Sequence, residues 1–133
     1  MILYKTDFVE ILYHEQHQMV ETVWQNFASS KRYRSAMDQY IEVIKTHNVK
    51  RWLGDYRLAR VIRPIDQEWM VTKWAPAFMP LANGIDKMAR VKAQDVAAQI
   101  SSDNMRQEYD TSRFPFQFRD FEDYDKARAW LLD

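Results

Sequence analysis

At 133 residues the chain has the length of one ordinary domain. Its 47% apolar and 29% charged residues are those of a folded globular protein, and its 19 basic and 19 acidic side chains cancel, so no global field draws it to nucleic acid or to an acidic membrane. The absence of cysteine excludes disulfides, thiolate nucleophiles and cysteine-held metals, and two glycines, Gly54 and Gly84, are too few for a P-loop or a dinucleotide-binding loop.

The first predicted element is a hairpin over residues 8–25. Val9, Ile11 and Tyr13 alternate with Phe8, Glu10 and Leu12, and Val20, Thr22 and Trp24 share one face of the returning strand. The turn at 15–18 has neither Gly nor Asn to set its type. A helix follows over 29–48, with Tyr33, Ala36, Met37, Tyr40, Ile41 and Ile44 as its stripe. Ser29 or Ser30 is expected to cap its start and Asn48 to supply a left-handed stop. Residues 50–56 then read as a strand.

A second helix is predicted from Pro64, whose missing N–H costs nothing in a first turn. Met70, Trp74, Phe78 and Leu81 form its apolar line, Pro76 should kink it, and Asn83–Gly84 should end it. After it come a short strand at 86–92 and a weak helix at 95–109 that restarts near Ser102. Pro115 opens a strand over 116–121, and a last helix over 122–132 turns Tyr124, Ala127 and Leu131 inward.

The order β-β-α-β-α-β-α-β-α predicts an α/β fold. One domain spans residues 1–133, built on a single mixed, mostly parallel five-stranded sheet with an N-terminal hairpin and helical crossovers. No run approaches the length of a membrane span, and the opening MILYKTDFVE lacks a signal-peptide core, so a cytoplasmic location is expected.

The stretches VKRWLGDYRL and DQEWMVTKWAPAF, followed by FEDYDKARAWLL, resemble bacterial domains of the STAS superfamily, the anti-sigma-factor-antagonist-like fold. The resemblance is to a poorly characterised branch ending in Phe-x5-Ala-x2-Trp-Leu, carried here by Phe121, Ala127, Trp130 and Leu131. It implies a small sheet with helices packed on it, used for regulatory protein contacts or ligand sensing. Regulatory members carry a phosphorylatable Ser or Thr followed by Gly where a loop enters a helix. The comparable stretch here, Pro64 to Trp69, has neither, so no functional residue transfers from that family.

Candidate sites are few. Arg57, Arg60 and Arg63 recur at every third residue beside Asp55, and guanidinium forks suit phosphate or carboxylate. Asp66 and Glu68 in the following helical turn oppose an anion there, so a locally paired loop is the competing reading. His14, Glu15 and His17 lack the i, i+4 spacing of a helical zinc motif, and no metal or cofactor is expected. His47 complements its helix dipole, and Asp55 is a lone candidate base. With no nucleophile elbow, no catalytic residue is assigned.

Trp69 and Trp74 sit about 140° apart on an ideal helix, so Trp74 joins Met70 and Phe78 while Trp69 falls off the line. Trp69, Trp74 and Phe78 are therefore the candidate interface or ligand site, against a wide buried face as the plain alternative. The expected role is a non-enzymatic interaction or regulatory domain that docks a protein partner or a second copy in a homodimer. The alternative is a binder of an apolar or anionic small molecule, in a pocket between the Pro76-kinked segment and the sheet.

Overall fold

The hairpin forms as expected, with one more strand beside it. In the computed structural model, which describes residues 1–108 and 113–133, β1 (Ile2–Lys5) pairs antiparallel with β2 (Val9–His14), and β2 pairs antiparallel with β3 (Met19–Asn26). The predicted five-stranded sheet is thus six-stranded. β1 is four residues long and its register slips between Ile2 and Tyr4, so no alternation marks it in the sequence. The turn is a 3-10 coil, Glu15–His17, closed by Gln18 in the left-handed region, whose N–H donates to Glu15 O at 3.1 Å.

After α1 (Ser30–Thr46), β4 (Arg51–Ala59) pairs parallel with β3, β5 (Lys87–Val91) with β4, and β6 (Gln117–Phe121) with β5. Strands added in sequence order through crossovers of one hand place all the connecting helices on one face. These are α1, the helical segment α2 over residues 64–84, and α3 (Val96–Gln107). α4 (Tyr124–Leu132) lies on the other face, against β4, β5 and β6. The core is correspondingly double. Val20, Trp24 and Trp52 bury on the first face with Tyr40 and Phe78, while Met19, Leu53, Ala89 and Val91 meet Ala127 and Leu131 on the second.

Several local expectations need correction. Ser29 occupies the cap position of α1, but its hydroxyl makes no capping bond, and Ser30 turns its hydroxyl toward α2. α1 ends on an extended His47, not on a left-handed Asn48. β4 continues to Ala59, so Arg57 belongs to the strand, not to a loop. α3 runs unbroken through Ser102 from its cap Asp95, which accepts from Ala98 N at 3.0 Å. The predicted end of that helix at Tyr109 lies outside the described residues. β6 begins two residues after Pro115.

Pro76 acts on α2 as its chemistry requires. It has no N–H to give to the carbonyl of Thr72, and the helix widens into a π turn over Met70–Trp74, where Ala75 N–H reaches back five residues to Met70 O. α-Helix resumes over Ala75–Phe78 and tightens into a 3-10 coil over Met79–Gly84. These changes of pitch shift the phase of the apolar line. Leu81, predicted inward, is exposed, and Ala82 is buried in its place.

Asp66, expected in a solvated turn, is 1% exposed. Its carboxylate accepts from Ser30 Oγ at 2.8 Å and from Arg34 Nε at 3.1 Å, which latches the start of α2 to α1. The two partners are unequal, because Arg34 is one-third exposed. Arg34→Met leaves a buried carboxylate with the Ser30 hydroxyl and should cost about 3 kcal/mol. Asp66→Ala lets Arg34 swing to water and should cost about 1–2 kcal/mol. Urea unfolding of the two variants measures this order, and a larger loss for Asp66→Ala contradicts it.

Candidate functional site

A cavity of about 170 Å³ lies between the first face of the sheet and the three helices above it. The sheet contributes Trp24 of β3 and Trp52, Gly54 and Tyr56 of β4, with Met88 and Phe118 beyond them. α1 adds Tyr33, Met37 and Tyr40, and α2 adds Met70, Trp74, Ala75 and Phe78 from its widened part. Asn26 and Ala59, the last residues of β3 and β4, also line it, so the cavity reaches the carboxyl ends of parallel strands. Open α/β sheets place ligands past the carboxyl ends of their strands where the strand order reverses. These strands, laid down in sequence order, share the first feature and not the second.

The walls are carbon because the indole nitrogens are tied up elsewhere. Trp24 Nε1 donates to Tyr40 Oη at 2.7 Å, and Trp74 Nε1 donates to Met37 O at 2.7 Å. Trp74 stacks on Phe78 with centroids 4.5 Å apart, and Trp24 and Tyr56 stand nearly parallel at 6.3 Å. Gly54 makes that second pair possible. A Cβ there would come within 2.7 Å of Tyr56 Cε2, so the tyrosine ring folds back over bare backbone. Burial pushes the Tyr40 phenol well above its ordinary range and raises Tyr56 as well.

One wall is charged. Arg90 and Arg106 both line the cavity. Arg90 faces Asp120 across β5 and β6, its Nε donating to Asp120 Oδ1 at 2.7 Å and its Nη2 to Asp103 Oδ1 at 3.1 Å. Arg106 pairs with the other oxygen of Asp120, and its guanidinium lies 4.4 Å from the Phe118 ring centroid. Burial, and then the nearby charge of Arg90, lower the Arg106 pKa.

The three regularly spaced arginines part company. Arg60 lines the cavity and pairs with Asp95 at 3.4 Å, while Arg63 lies over the exposed Phe27. Arg57 points to the opposite face, gripping Asp55 through Nε at 3.0 Å and Nη2 at 2.8 Å and covering the Tyr124 ring. Trp74 and Phe78 are cavity walls; Trp69 stands outside, edge-on to Tyr33 with Arg34 over it. His14, Glu15 and His17 border a polar hollow with Arg128, and among the described residues no group of three metal-ligating side chains forms. His14 Nε2 lies 3.0 Å from Glu21 Oε1, and Tyr124 Oη donates to Glu21 Oε2 at 2.7 Å.

The sequence reading missed Arg90, Arg106 and their two carboxylates. Asp103 and Asp120 join them only through α3 and a strand pairing, and no local spacing signals that. Trp24 and Tyr56 were readable only as strand residues. Comparison with protein families, curated proteins and solved structures finds no match for this chain.

Two outcomes follow from the phenols. Tyr40→Phe strips the acceptor from buried Trp24 Nε1 and should cost about 1–3 kcal/mol in urea unfolding; a neutral result would show that the indole has another acceptor. Tyr124 is held up at about 12, first by burial and then by Glu21. An unfolded phenol ionises near 10, so the folded chain retains protons that the unfolded chain gives up. Stability is therefore intact below about pH 10 and falls as pH rises toward 12. Tyr124→Phe should lose less over that interval than the parent chain.

Proposed function

We propose that this chain is a non-enzymatic, STAS-like regulatory domain that senses a small molecule held in its aromatic cavity. The supporting observation is the cavity itself: apolar walls, few polar atoms, and a position at the carboxyl ends of β3 and β4. Its size compares with the roughly 150 Å³ engineered cavity that takes up benzene, so a body of one or two rings is the scale of ligand that suits it. Sensing then means ordering α2, since Met70, Trp74, Ala75 and Phe78 would all touch the occupant. The latch from Asp66 passes that change to α1.

Native mass spectrometry of freshly isolated protein should detect a retained small molecule, and Ala75→Phe, which fills the cavity, should abolish it. At a hundredfold excess over its dissociation constant, a ligand should raise stability by about 2.7 kcal/mol. A chain that carries no adduct, and whose melting temperature does not respond to a panel of one- and two-ring compounds, contradicts the proposal.

A second reading concerns partners. Leu58 on β4, Val61 on its connection to α2 and Ile65 in the first turn of α2 are exposed, as are Val96 and Ile100 on α3. The segment before α3 is tied to β4 by Gln94 N–H to Arg57 O at 3.1 Å, and α3 to the β4–α2 connection by Ile62 N–H to Ser101 Oγ at 3.2 Å. Exposed apolar groups on joined elements favour a protein partner or a second copy docking there. Sedimentation should then show a complex that Ile100→Asp dissolves, and a monomer at high concentration would argue against self-association.

A further inference from the structure

Resting on the reading of the cavity as a ligand site, we infer that the ligand is a compact aromatic acid whose carboxylate is held by Arg90 and Arg106. Among the described residues the charges on the lining are lopsided: Arg60, Arg90 and Arg106 against Asp66. Asp66 is already occupied by Ser30 and Arg34. Asp103 and Asp120, the partners of Arg90 and Arg106, are not part of the lining. Arg90 and Arg106 thus border the space, and the carboxylates that hold them do not. This is how a forked cation is preorganised for an incoming anion.

The two supporting carboxylates differ in a way that permits exchange. Asp120 is fixed directly opposite Arg90 in the sheet, is mostly buried, and grips both arginines. Asp103 sits on α3, its side chain is 43% exposed, and it holds Arg90 alone at 3.1 Å. An incoming carboxylate can take the place of Asp103, which turns to water at little desolvation cost. Phe118 beneath Arg106 keeps the guanidinium flat as this happens. The added anion also offsets the burial and the like charge of Arg90 that depress Arg106.

Other occupants fit less well. A cation would meet a wall with three arginines, and Asp66, the one lining carboxylate among the described residues, is spent. A neutral ring would use the aromatic walls and leave the charged wall unchanged. A long acyl chain exceeds a space of about 170 Å³.

Isothermal titration of the full chain with benzoate, benzyl alcohol and benzylamine separates these cases. Benzoate should bind about tenfold or more tighter than benzyl alcohol, the gain expected from one charge-assisted hydrogen bond, and the two should compete. Arg106→Gln should bring benzoate down to the level of the alcohol without changing the alcohol. Asp103→Asn, at a half-exposed position, should raise benzoate affinity severalfold and leave the alcohol unchanged. Equal binding of all three probes, tighter binding of the amine, or benzoate binding indifferent to both variants overturns the acid assignment while the cavity reading stands. If no probe binds, the cavity reading itself fails and this inference with it.

Discussion

Pro76 cannot donate to Thr72, and the helix above the sheet is built around that missing bond. A regular α-helix would have left the Thr72 carbonyl crowded by the pyrrolidine ring. Widening the turn before it moves Ala75 N–H onto Met70 O and sets Trp74 and Phe78 face to face over the strands. The segment is pinned at its beginning by Asp66, and its final coil is closed by Ile85 N–H donating to Ala82 O at 3.0 Å. Between those two fixings lies the least regular stretch of helix in the described chain, and it forms the roof of the cavity.

The space persists because its walls are stiff. Aliphatic side chains can change rotamer to fill a gap, but an indole anchored through its nitrogen cannot turn without breaking a buried hydrogen bond. Trp24 is held by Tyr40 and Trp74 by the Met37 carbonyl, one from the sheet side and one from the helix side. Trp52 packs edge-on against Phe78, and Tyr56 leans over Gly54. Methionines at 37, 70, 79, 88 and 105 supply the adaptable remainder of the lining. Rigid rings define the shape, and flexible thioethers would let it adjust to the proposed occupant.

Period-two and period-3.6 patterns made most of the architecture legible, because the strands bury one face or two and the helices one stripe. What escaped was structure without a period. β1 is too short and too irregular to show alternation, and Leu81 was misplaced because pitch changes on both sides of Phe78 break the phase on which the stripe argument rests. The site was half legible. Trp74, Phe78 and a pocket beneath the Pro76 kink could be picked out from spacing, since they belong to one element. Arg90, Asp103, Arg106 and Asp120 could not, since they meet only when α3 crosses from β5 to β6. The arginines that were conspicuous in sequence, Arg57, Arg60 and Arg63, diverge because strand alternation sends Arg57 to the face opposite the cavity.

The two faces of the sheet handle charge differently, and that contrast bears on function. Beneath α4, Asp55 and Arg57 form a two-bonded pair, Tyr124 lies under the guanidinium, and Glu21 takes both Tyr124 Oη and the His14 ring. The groups of that network are turned toward one another and fasten the helix to the strands. On the cavity face, Arg90 and Arg106 balance Asp103 and Asp120 in number, but the two arginines line the space and the two aspartates do not. A polar cluster that served only to dock α3 would gain nothing from arginines at the wall of a largely carbon-lined space, because desolvating them is costly. On the proposed reading a bound anion completes the arrangement, so the uneven presentation of charge, more than the volume of the cavity, supports a binding site over a packing defect.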